Sequence, residues 1–176
     1  MQLPTLRDGD LVLRPARGSD VDAVTAACQD PELPRWTFVP SPYTRADAES
    51  YLRRCAEEAD TDKAVNLLAV DAGDGRLLGS FSLMELDREP GYGEIGYWVA
   101  AEARGRGVAT CAVRLLADWG REALGLTRID VVPHRDNVAS RRVAEKAGFT
   151  DTGELVDVPR AGVEERVYAV YSWMAD

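Results

Sequence analysis

Histidine occurs once in the 176 residues, and the three cysteines show no CxxC spacing. A single imidazole without ligand partners builds no metal site, so no metal is expected, and His134, beside Pro133, reads as a loop residue. Cys28, Cys55 and Cys111 are odd in number and fall on expected helices, which suits reduced thiols of a cytoplasmic protein better than disulfides. No stretch approaches the ~18 apolar residues of a membrane span. The N-terminus carries Arg7, Asp8 and Asp10 where a secretory signal would have an apolar run. Basic residues are in deficit, 21 Lys and Arg against 30 Asp and Glu, for a net charge of −9. Nucleic acid needs a basic face and is not the expected partner. A protonated amine is compatible with the acidity, and so is plain solubility. Internal repeats, low-complexity tracts and linkers are also missing. A chain of this size can bury about 70% of its extended surface, so one domain over residues 1–176 is expected.

What is present is concentrated in residues 94–149. Residues 94–99 (EIGYWV) have strand character, with aromatic and β-branched side chains and no proline. Beyond Arg104-Gly105-Arg106-Gly107-Val108-Ala109, the apolar residues Ala109, Ala112, Val113, Leu116, Trp119 and Ala123 recur at helical spacing. The turn therefore offers backbone N–H groups, through Thr110, at the open end of a helix, where an anion is favoured. Gly105 and Gly107 allow close approach of a ligand, and Arg104 and Arg106 add positive charge. A phosphate fits such a turn; an ordinary turn before a helix has the same composition. Two familiar phosphate motifs are excluded. The dinucleotide fingerprint needs glycine where Thr110 stands, and no Gly-Lys-Ser/Thr closes a P-loop.

Along the rest of the chain, residues 11–15 form a first strand. Ser19 to Asp22 has the spacing of a capping box opening a helix to about Cys28. Residues 30–43 hold Pro31, Pro34, Pro40 and Pro42 and should be neither regular helix nor central strand. Trp36, Phe38 and Tyr43 in that loop are either a lid on the core or a wall of a binding site. Thr44 to Asp47 caps a helix running to about Glu58. Residues 65–70 and 77–86 form a hairpin around Gly73 and Gly75, with Glu85 exposed. Gly125 ends the long helix, residues 128–132 form a strand stopped by Pro133, and Asp136 or Asn137 caps a short helix closed by Gly148. Residues 150–156 and 165–173 read as a final hairpin with Pro159 and Gly162 in its loop. Six or seven strands and about four helices predict an α/β mixed sheet covered by helices.

The motifs in 94–149 resemble those of the GNAT N-acyltransferases. Arg104 to Ala109 is similar to that family's Q/R-x-x-G-x-G/A turn. Asn137-Val138-Ala139-Ser140 followed by Glu145-Lys146-Ala147-Gly148-Phe149 resembles the N-x-x-S…E-K-x-G-F ending of its RimJ/RimL-like branch, and Glu94 to Trp98 resembles that branch's preceding strand. The resemblance implies the GNAT fold, in which the strands flanking the long helix splay apart and acetyl-coenzyme A lies in the gap. It implies pyrophosphate on residues 104–110, pantetheine along the strand at 94–99 as an added strand would lie, and the thioester near the N–H groups of Trp98 and Val99. It places Ser140, otherwise an ordinary first-turn helix serine, against the coenzyme sulfur. Asn137 would hold pantetheine or cap its helix. Glu94 is the candidate base or a strand-end surface carboxylate. The acid many relatives carry at the start of the last strand is unmatched: Val167 stands near there, with Glu164 and Glu165 upstream. The resemblance also makes the 36–43 loop a wall of the acceptor pocket. The expected activity is acetyl transfer to a primary amine, on a protein N-terminus or a small molecule, by a monomer or homodimer. A non-catalytic acyl-coenzyme A-binding domain, or another donor such as succinyl-coenzyme A, fits the same motifs.

Overall fold

A computed structural model describes residues 2–157 and 166–175. The chain opens with Leu6–Asp8 (β1) and Leu11–Pro15 (β2), followed by the helices Val21–Ala27 (α1), Leu33–Trp36 (α2) and Arg45–Asp60 (α3). Val65–Asp71 (β3), Leu77–Asp87 (β4) and Tyr92–Val99 (β5) continue the sheet, and the long helix Val108–Leu124 (α4) crosses to Arg128–Val131 (β6). Val138–Ala147 (α5), Thr150–Asp157 (β7) and Val167–Met174 (β8) complete the described elements.

The strands form one sheet in the order β1-β2-β3-β4-β5-β6-β8-β7, antiparallel except where β5 meets β6. The expected mixed sheet is present, with eight strands and five helices rather than six or seven and about four. The extra strand, β1, has three residues, too few for an alternation signal. The extra helix, α2, corrects the expectation that the proline-rich run is irregular throughout. Pro34 sits in its first turn, where the ring's fixed φ suits a helix and no N–H is needed.

Each face of the sheet has its own apolar cluster. Ile95, Val99, Ala112, Val113, Leu116 and Ile129 belong to the side covered by α4 and α5. On the opposite face Val21, Val24, Leu33, Tyr43 and Ala48 pack around Leu68, with Trp98 half-buried against them. The odd residues of β5 thus face α4, and the even residues Glu94, Gly96 and Trp98 face the side of α1 and α3.

Local signals set the helix ends. The Thr44 cap forms as expected: the Thr44 N–H donates to Asp47 and the Asp47 N–H returns to the Thr44 hydroxyl, at 2.8 and 3.3 Å. The box expected at Ser19 does not form, because Asp20 takes two hydrogen bonds from Arg14 at 2.8 Å and one from the Arg17 N–H at 2.7 Å. Gly125 and Gly148 end α4 and α5 in the left-handed region. The expected loop residues Pro159 and Gly162, and the acids Glu164 and Glu165, lie outside the described residues.

One irregularity positions everything that follows. β5 pairs with β6 only at Tyr92, Gly93 and Glu94, opposite Arg128, Ile129 and Asp130. Among the described residues that edge of β5 has no ladder partner from residue 95 to 99, and the two strands part.

Candidate active site

A cleft of about 960 Å³ opens where β5 and β6 separate, and all but one of the sequence-predicted site residues line it. At its head is the turn before α4. Gly105 and Gly107 adopt φ +72° and +81°, and a Cβ at either would meet no atom within 4 Å. The backbone conformation, rather than crowding, requires glycine here, and the space over the turn is open. Gly107 is the N-cap of α4 and brings no capping side chain. The first N–H groups of α4, at Val108, Ala109 and Thr110, therefore lack intrahelical acceptors at the cleft. Arg104 lines the cleft, but its guanidinium is engaged: Nε donates to the Val99 carbonyl at 3.1 Å, and Nη2 pairs with Asp30. It fastens the end of β5 to the loop after α1. Arg106 is exposed and is the one expected coenzyme residue outside the lining.

Across the gap, Asn137 caps α5 by accepting from the Ser140 N–H at 3.1 Å. Ser140 Oγ lies 2.8 Å from Tyr97 Oη. Sequence reasoning missed Tyr97. On β5 it looks like any strand aromatic, and only the docking of α5 gives its hydroxyl a role. Its ring stacks on Phe81 with centroids 5.3 Å apart. Burial pushes its hydroxyl up to about 12, against a smaller opposing effect of the Ser140 hydrogen bond, so it stays protonated at neutral pH.

Glu94 lines the cleft from the other face of β5. Burial, then the charges of Glu85 and Asp130, push its carboxyl up to about 7. Asp130, its cross-strand neighbour, is buried and held by Arg128 at 2.9 and 2.7 Å and by the Ser172 hydroxyl at 2.5 Å. Glu85 is exposed, as expected.

The three aromatics of the proline-rich segment differ in burial. Trp36, Phe38 and Tyr43 all line the cleft, but Tyr43 is 9% exposed and packs in the α1–α3 cluster, whereas Phe38 is 49% exposed. His134 and Tyr168, which carry no mark in the sequence, line the cleft beside them. The His134 ring stands between Trp36 and Tyr168, with centroids 5.7 and 5.5 Å away, and Tyr168 continues to Phe38 at 6.4 Å. His134 follows β6 and joins Tyr168 of β8 by an isolated bridge, so its loop is anchored.

The three thiols are poor nucleophiles at neutral pH. Burial pushes Cys28, which lines the cleft, Cys55 and Cys111 each up to about 11. Among the described residues no group of three His, Cys, Asp or Glu side chains could hold a metal, and no helix is long and apolar enough to cross a membrane.

Solved structures share this fold. RimJ of Mycobacterium smegmatis, determined in complex with CoA-disulfide, superposes with a TM-score of 0.83 at 22% identity, covering 98% of this chain and 87% of that one. The microcin C7 self-immunity acetyltransferase MccE, determined with acetyl-CoA and AMP, gives 0.84 at 19% identity over 96% and 94%. At such identities the likeness concerns the fold. In sequence, YdaF of Bacillus subtilis (strain 168), by its name a candidate ribosomal N-acetyltransferase, is 39% identical over 95 residues. That match spans about half the length of each protein, 52% of both. The model of the acetyltransferase (GNAT) domain matches residues 10–150. Its span takes in β2 to β6, the glycine turn, α4 and α5, and the chain belongs to the acetyltransferase (GNAT) family.

Proposed function

We propose that the protein moves an acetyl group from acetyl-coenzyme A directly to a primary amine, with both substrates in the cleft together. The observation that carries this reading is the edge of β5 at residues 95–99, left without a partner between the N-terminus of α4 and the Tyr97–Ser140 pair. Three features fit the donor: the open turn at Gly105 and Gly107 suits its pyrophosphate, the free edge suits its amide chain, and the two hydroxyls suit its sulfur. The donor supplies an activated acyl group and a thiol leaving group. The protein does the rest. The Val99 N–H points to the free edge of β5 and can hydrogen-bond the acyl oxygen, whereas the Trp98 N–H belongs to the β4 ladder. Ser140, with Tyr97 behind it, offers a proton or hydrogen bond to the departing sulfur. Glu94, with a pKa near 7, takes the proton of the incoming ammonium, directly or through water. Because Glu94 faces α1 and α3 with Trp98, the amine enters from the side of the Trp36–Phe38 wall. High thiol pKa values argue against a cysteine acyl intermediate and for direct transfer.

The acceptor is a protein N-terminal amine or a small-molecule amine. The name of YdaF, which contains "ribosomal N-acetyltransferase", supports the first. Three unpaired thiols suit a cytoplasmic setting. A thiol-release assay with acetyl-coenzyme A and a panel of N-terminal peptides and small amines tests the reading. Release that depends on an amine is expected. Binding of acetyl-coenzyme A with no release on any amine would favour a non-catalytic coenzyme-binding domain.

A further inference from the structure

Among the described residues, two buried side-chain polar atoms have no hydrogen-bond partner, Tyr168 Oη and Arg166 Nη1. They are two residues apart where the chain enters β8, Arg166 just before its first residue, and both lie against the segment that carries α2. Arg166 reaches the Pro34 carbonyl at 3.4 Å, and the Tyr168 ring stands 6.4 Å from that of Phe38. Leaving a buried donor unpaired is costly, so a protein that keeps one gains something elsewhere. Tyr168 is 5% exposed and lines the acceptor side of the cleft. Next to it, His134 Nδ1 accepts from the Asp136 N–H at 3.2 Å, which puts the proton of the neutral ring on Nε2, a second donor. The two residues are held together by backbone bonds on either side, Arg135 N–H to the Val167 carbonyl and Ala169 N–H to the Pro133 carbonyl, both 2.9 Å. Their positions are therefore fixed before any ligand arrives.

We propose that Tyr168 Oη and His134 Nε2 are a paired donor site for an oxygen of the acceptor, so that the preferred acceptor is an amine carrying a carbonyl or carboxylate oxygen a few bonds from its nitrogen. This rests on the transferase reading. The chemistry follows from the donor set. Two neutral N–H and O–H groups recognise a carbonyl-type oxygen, and the buried guanidinium of Arg166 adds positive potential that favours its partial negative charge. A polyamine or a plain alkylamine brings only further donors and would leave Tyr168 unpaired. Trp36 and Phe38 supply apolar walls for the group between nitrogen and oxygen. The Tyr168 hydroxyl is closed off from water in the present arrangement, so a neighbouring side chain must shift for the oxygen to reach it. The oxygen could belong to the first peptide unit of an N-terminus or to a free amino acid, and these sources are separable.

Three probes test the site: phenylalanyl-glycinamide, free phenylalanine and 2-phenylethylamine, which lacks the oxygen. Thiol release is measured for each with the wild-type protein and with Tyr168→Phe. The variant removes one oxygen that has no partner, so its Tm should hold or rise. Its kcat/KM should fall about tenfold, the value of one hydrogen bond, for whichever oxygen-bearing probe is used, and stay unchanged for 2-phenylethylamine. The source is then read from the better probe. A second readout needs no turnover. His134 is the sole histidine, so its imidazole proton resonances are assigned directly. They should shift on titration of the protein–coenzyme A complex with an oxygen-bearing probe and stay put with 2-phenylethylamine. Equal use of all three probes, an equal loss on all three in Tyr168→Phe, or a lower Tm in that variant would overturn the inference and leave the transferase reading standing. No thiol release from any amine would overturn the transferase reading, and the imidazole shifts would then decide the donor pair by themselves.

Discussion

The two halves of the cleft are built differently. The coenzyme half is drawn from one run of chain, Glu94 to Ser140: an edge strand, a turn, a helix and the cap of the next helix. The half proposed for the acceptor is assembled from the α2 segment, the loop after β6 and the start of β8, which are far apart in sequence and meet only in the folded molecule. The first half offers mainly backbone groups, the second mainly side chains whose rings touch one another.

Substitutions can break that comparison. The largest effect is expected at the turn. Gly107→Glu puts a carboxylate where the pyrophosphate should lie, and calorimetry should show no acetyl-coenzyme A binding in a protein with native circular dichroism. Gly107→Asn controls for the left-handed φ, which asparagine tolerates, and should keep more of the affinity. Retained affinity in Gly107→Glu would mean the turn is only a turn.

Glu94 joins the halves and comes next. Its substitution by Gln should lower kcat/KM for the amine about 10²- to 10⁴-fold, the range for a lost general base. Because the base works when deprotonated, wild-type activity should rise with pH through about 7, and the variant should lose that limb. Stability should move the other way. The folded pKa lies above the unfolded value, so the unfolded state ionises first, and the native state loses stability as pH rises from about 4.5 to about 7. Glu94→Gln should then be more stable than wild type at pH 8, by up to about 3 kcal/mol. A variant that is less stable at pH 8 would show that the carboxylate has a structural partner.

Ser140→Ala should reduce kcat about ten- to a thousandfold, with little change in the acetyl-coenzyme A KM, since it removes a donor used at the leaving sulfur. Tyr97→Phe should show the same pattern, more weakly, if the tyrosine acts through the serine. Wild-type turnover in Ser140→Ala, measured where chemistry limits the rate, would leave Ser140 as an ordinary residue of α5. Trp36→Ala should have the smallest effect, a loss of about two- to thirtyfold in amine kcat/KM, equivalent to 0.5–2 kcal/mol of aromatic–cation contact. Coenzyme affinity should be untouched. A parallel loss for both substrates that follows thermal stability would make Trp36 a packing residue.

The difference between the halves also decided what the sequence could tell. The period of α4, the glycine caps at Gly125 and Gly148, and the Thr44 box are local, and the structure has all of them. The Ser19 box failed because Arg14, on the preceding strand, claims Asp20. The helix inside the proline-rich run was hidden because proline is a breaker in a helix interior and a starter in its first turn. Arg104 looked like free charge for a phosphate, and its engagement with Asp30 crosses from the α4 turn to the loop after α1. Tyr97, His134 and Tyr168 carry no local mark at all. Their roles come from α5 docking on β5 and from the bridge between the β6–α5 connection and β8, neither of which leaves a periodicity in the chain.

Direct transfer requires both substrates to occupy the cleft at the same time. Initial rates measured with acetyl-coenzyme A and the amine varied together test it most directly. Intersecting double-reciprocal lines are predicted, because no thiol in the cleft is ready to carry the acetyl group. Parallel lines, with an acetylated protein isolated in the absence of amine, would contradict it.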